Sequence, residues 1–72
     1  MLYTIKVGSV TNAQRARRKL REYGERAYLV RLSNPTAQDG CGYAVKIERM
    51  LPEQAVALLE GEGIPVLGVD EE

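Results

Sequence analysis

From Leu2 to Val7 the side chains alternate, with Tyr3, Ile5 and Val7 on one side and Leu2, Thr4 and Lys6 on the other, the period of a half-buried strand. Gly8 breaks the run. Thr11 to Tyr23 then repeats at helical spacing: Ala13, Ala16, Leu20 and Tyr23 form one stripe, and Thr11 with Gln14 three residues on matches a capping box. Gly24 supplies the stop. Ala27 to Leu32, rich in Tyr, Leu and Val, reads as a second strand, followed by the polar loop Ser33-Asn34-Pro35-Thr36-Ala37-Gln38-Asp39-Gly40. In the third strand Tyr43, Val45 and Ile47 alternate with Ala44, Lys46 and Glu48. Pro52 at a first helical position opens a second helix with Ala55, Val56 and Leu59 inward, ended near Gly61 or Gly63. Ile64 to Val69 is the expected fourth strand, and Pro65 within it argues for a sheet edge.

The order is βαββαβ, which predicts an α+β, ferredoxin-like domain: a four-stranded antiparallel sheet with two helices on one face. The first and third strands pair at its centre. Residues 1–72 are expected to form this one domain, because nothing in the composition marks a second core or a repeat. A core of this size rarely supplies more than about 3 to 5 kcal/mol, so a homodimer or a partner surface would be a natural supplement.

No apolar run reaches the roughly 18 residues that span a bilayer, and Met1 to Lys6 lacks a basic segment leading into an apolar one. The expectation is a cytoplasmic protein without a membrane anchor. Charge is balanced overall but divided along the chain. Residues 1–49 hold all ten Lys and Arg against four acids, whereas residues 50–72 hold six acids and no base. Arg15, Arg17, Arg18, Lys19 and Arg21 crowd the first helix. Arg15 with Lys19 and Arg17 with Arg21 are unfavourable i,i+4 pairs at about 0.2 to 0.5 kcal/mol each, and Arg18 with Glu22 is expected to return a similar amount. This face reads either as solvated, partly neutralised by the acidic second half, or as a docking face for an acidic partner or a phosphate backbone.

The chain has one cysteine and no histidine, which removes an internal disulfide, the usual nitrogen ligand for zinc and the usual neutral-pH acid-base group. No metal or cofactor is expected, and a free-standing enzyme is disfavoured. Candidate chemistry falls on Cys41 in Asp39-Gly40-Cys41-Gly42. In the expected topology the loop between the second and third strands lies at the end of the sheet where the first strand turns into the first helix. Free N–H groups and the dipole at a helix N-terminus favour a thiolate, and the thiolate is the nucleophile. Asp39 opposes it by like charge. The bland alternative makes Cys41 a small residue ending a turn, with Gly40 and Gly42 supplying only a positive φ.

The Cys41-Gly42 pair leading into Tyr43-Ala44-Val45-Lys46-Ile47, with Ser9-Val10-Thr11-Asn12-Ala13 opening the first helix and Gly63-Ile64-Pro65-Val66 near the last strand, resembles the selenium/sulfur carrier protein-like family of small bacterial proteins. That resemblance implies a carrier holding sulfur or selenium on Cys41 as a persulfide or selenopersulfide, with Gly42 as motif partner. It also implies a cysteine desulfurase-type donor and an acceptor protein. Two other readings stand beside it. One is a non-catalytic regulatory or interaction module of ferredoxin-like fold. The other is an RNA-recognition module, which shares the element order. Stacking Tyr3 and Tyr43 on the open sheet face would turn Lys6, Lys46 and Glu48 into the core, so nucleic acid is set aside.

Overall fold

The computed structural model describes residues 2–32 and 42–71. Six elements follow in the expected order: β1 (Tyr3–Gly8), α1 (Val10–Glu22), β2 (Tyr28–Arg31), β3 (Tyr43–Ile47), α2 (Pro52–Gly61) and β4 (Gly68–Glu71). The strands form one antiparallel sheet in the order β2-β3-β1-β4, so the ferredoxin-like arrangement holds, with β1 and β3 central. Ile5 stands opposite Val45 and Tyr3 opposite Ile47. This pairing sets the phase of both strands: Ile5, Val7, Val45 and Ile47 are sealed against the helices, with Tyr3 and Tyr43 packed half-buried beside them. Ala13, Ala16 and Leu20 of α1, with Ala55 and Leu59 of α2, close the core from the other side. The alanines let the helices approach the sheet closely, and each fully buried Leu, Ile or Val contributes about 1.5 to 3 kcal/mol relative to exposure.

Several boundaries differ from expectation. Ser9 caps α1, not Thr11: its Oγ accepts from the Asn12 backbone N–H at 3.0 Å, satisfying one of the helix's orphan donors. Tyr23 leaves the apolar stripe and is 58% exposed, since it is the C-cap residue where the chain departs from helical geometry. The fourth strand begins at Gly68, so Pro65 precedes it and marks the connection; β4 is nevertheless an edge. Ile64 is buried for a different reason than strand pairing, which the ends of the helices explain.

Both helices terminate in the same hydrogen-bond pattern. In α2 the N–H of Ile64 donates to Leu59 O and that of Gly63 to Glu60 O; in α1 the N–H of Glu25 donates to Leu20 O and that of Gly24 to Arg21 O. These are Schellman closures, with Gly24 and Gly63 at φ of 84° and 77°, where a Cβ would be strained. The motif turns the next residue inward, against the last helical turn. In α2 that residue is Ile64, which is buried in the same core cluster as Leu59. In α1 it is Glu25, only 4% exposed.

A buried carboxylate needs donors. Among the described residues Glu25 obtains them from the backbone: Arg26 N at 2.7 Å on Oε2, Met50 N at 2.7 Å on Oε1, and Arg49 N shared between both oxygens at 3.0 and 3.2 Å. Arg49 and Met50 lie in the turn from β3 into α2, so one side chain ties the two junctions on that edge of the fold. Removing it leaves three N–H groups without their acceptor. The expected outcome is that Glu25→Ala lowers the unfolding free energy by about 2 to 3 kcal/mol, with Glu25→Gln intermediate because one acceptor oxygen becomes a donor. Urea denaturation of the three proteins checks this; losses below about 0.5 kcal/mol would show that water replaces the carboxylate without cost.

Candidate functional site

Cys41, the candidate acceptor thiol, lies outside the described residues, as do Asp39 and Gly40; the structure defines the frame on either side. Gly42 is buried, with φ of 81°, and its carbonyl accepts from the Leu32 N–H at 2.6 Å. That bond closes the ladder between β2 and β3. One residue on, Tyr43 pairs with Arg31 on one side and with Gly8 on the other. The segment 33–41 therefore leaves and rejoins the sheet at the end where β1 passes into α1.

The turn at this end is held by specific bonds. A bulge falls between Lys6 and Gly8, and Gly8 adopts φ of 89°. Extra length at the bulge redirects the chain from strand to helix within one residue. Val7 O accepts twice, from Ser9 N at 3.2 Å and from Asn12 Nδ2 at 3.2 Å. Ser9 and Asn12 thus lock the first turn of α1 onto the end of β1. The first turn of α1 contains no acidic residue of its own, so among the described residues of that turn nothing offsets the positive end of the helix dipole. Leu67, which donates to Lys6 O at 2.8 Å, brings the start of β4 to the same end, and Leu67 and Val10 are both partly exposed there. Gly42, Gly8 and the α1 N-terminus are brought together as the topology predicts.

The basic helix is arranged differently from its sequence pattern. Glu62, the C-cap of α2, draws two of the five bases: Lys19 Nζ meets its carboxylate at 2.5 Å, and Arg15 Nη2 donates to its carbonyl at 2.9 Å. A guanidinium on the last carbonyl of α2 also complements the negative end of that helix. Glu22 turns to Lys19 at 3.8 Å, three residues away, in place of the expected pair with Arg18. Lys19 completes its surroundings over the Tyr23 ring, 5.5 Å from the centroid. The hydrogen bond with Glu62 holds the Lys19 ammonium above its ordinary value and the Glu62 carboxyl below its own. On the sheet, Lys6 pairs with Asp70 at 3.3 Å. The acidic second half therefore neutralises part of the basic first half within one molecule, and Glu62 is the residue whose role the sequence alone did not disclose.

Among the described residues, no group of three thiols or carboxylates converges to hold a metal ion, and no helix is long and apolar enough to cross a membrane. No family model matches the chain, and neither the curated proteins nor the solved structures contain a match.

The Lys19–Glu62 pair has a defined pH signature. Because the folded Glu62 value is lowered, its contribution is complete above the ordinary carboxyl value of 4.5 and is lost as pH falls through the folded value. Because the folded Lys19 value is raised, that contribution is complete below 10.5 and is lost as pH rises through the folded value. The stability difference between the native chain and Glu62→Gln is expected to stay constant between these limits and to shrink toward zero in acid. Thermal melts of both proteins across that range check it, and a difference that persists at the acidic extreme would assign Glu62 a role other than its charge.

Proposed function

We propose that the chain is a carrier for sulfur or selenium, which rides on Cys41 as a persulfide or selenopersulfide between a donor enzyme and an acceptor protein. The supporting observation is the frame around Gly42. The chain re-enters the sheet through a glycine at positive φ, beside Gly8 and the N-terminus of α1. A thiolate near that end of the helix would meet a positive partial charge and a first turn that contains no acidic residue of its own.

The chemistry asks little of the rest of the protein. The Cys41 thiolate attacks the terminal sulfur of a donor persulfide; the donor's S–S bond breaks, a new one forms on Cys41, and the donor leaves as a thiolate. There is no net oxidation and no external reductant at this step. No general base is needed once the thiol is ionised, which suits a chain without histidine. Delivery repeats the exchange on an acceptor thiol.

The orientation of the tyrosines favours this reading over RNA recognition. Tyr3 and Tyr43 pack against the core beneath the helices, so their rings do not form a stacking platform on the open face. A regulatory or interaction module that makes no use of Cys41 is the second reading, supported by the exposed side chains of Tyr23 and Leu51 near the opposite junction. Intact-mass analysis after incubation with a cysteine desulfurase and cysteine separates the two. The carrier reading expects one added sulfur atom, released by a thiol reductant and missing in Cys41→Ser. Absence of the adduct, together with full cellular function of Cys41→Ser, would leave the interaction module.

A further inference from the structure

Arg17, Arg18 and Arg21 are the bases of α1 that the fold does not use. Arg15 and Lys19 are engaged by Glu62, and Glu22 turns to Lys19. Among the described residues, none forms an ion pair with Arg17, Arg18 or Arg21. Arg17 and Arg21 stand one helical turn apart, where like charges repel. Together with Gln14 and Glu22, the three arginines line an open groove of about 520 Å³. An acidic residue 62 on a neighbouring helix was enough to quiet the other side of α1; this side has been left charged.

We infer that this groove docks an acidic segment of a partner protein, one presenting carboxylates a helical turn apart. Four features argue for carboxylates. The bases here are all arginine, whose planar fork donates two parallel hydrogen bonds to a carboxylate. The spacing of Arg17 and Arg21, four residues or about 6 Å along the axis, matches Glu or Asp at i,i+4 on a facing helix. The footprint is short, and the whole chain is neutral with an isoelectric point near 6.3, so the long-range field that gathers nucleic acid is absent. No aromatic ring lines the groove for a base to stack on. The inference does not depend on Cys41.

The test uses the full chain, ¹⁵N-labelled, titrated with a synthetic alanine-based helical peptide carrying Glu at i and i+4. Amide shifts are expected to concentrate on residues 14–22. Arg17→Gln with Arg21→Gln, which keeps good helix formers, should weaken binding by about tenfold, and circular dichroism verifies that the variant is folded. Arg26→Gln with Arg49→Gln removes the same charge from two exposed arginines elsewhere, keeps the backbone donors to Glu25, and should leave affinity within about twofold. Equal losses in both double variants would reduce the effect to net charge and overturn the proposal. So would the absence of shifts on α1, or tighter binding of a thymidine 20-mer than of the peptide at the same ionic strength.

Discussion

A carboxylate turned inward must be given hydrogen-bond donors, and in this fold that requirement falls on Glu25. The Schellman closure of α1 points the residue after Gly24 toward the core, where α2 places an isoleucine in the equivalent position. Glu25 answers by collecting the N–H groups of Arg26, Arg49 and Met50. Those donors fix where β2 begins and where the chain leaves β3 for α2. Among the described residues the buried core cluster numbers eleven, several of them alanines, so a tie of this kind carries a large share of the stability.

The consequences run along the central strand pair to the far end of the sheet. β1 and β3 keep one register, and at its end Tyr43 is held between Gly8 and Arg31 while Gly42 closes on Leu32. Gly8 then feeds Ser9, whose cap starts α1. Stability and candidate chemistry are thereby segregated: Glu25 secures the junctions at one end, and the segment 33–41 is framed at the other.

The central strands were legible because each buries one face under helices, and alternation survives wherever one face is dry; Tyr3, Ile5 and Val7 against Tyr43, Val45 and Ile47 gave both the strands and their phase. The edge was not legible. Ile64-Pro65-Val66 looks like a strand but owes its burial to the closure of α2, whereas Gly68-Val69-Asp70-Glu71 pairs with β1 while remaining largely exposed and polar. Glu25 beside Arg26 looks like a solvated charge pair. Only the position of Gly24, which places residue 25 at the inward step of a Schellman turn, could have signalled otherwise. The same holds for Glu62, whose reach to Arg15 and Lys19 joins residues more than forty positions apart. For the candidate site, the sequence indicated Cys41 and Gly42 from the lone cysteine and its glycine neighbour; Cys41 lies outside the described residues, and Gly42 stands just before β3, where Tyr43 pairs with Gly8.

The carrier account stands on the acidity and access of one thiol, and the chain contains only that one. The most direct measurement is the rate of Cys41 alkylation against pH. The account predicts rapid, complete modification with a midpoint well below the free-cysteine value of about 8.5. Slow modification, or a midpoint at or above that value, would contradict it and make Cys41 a structural residue.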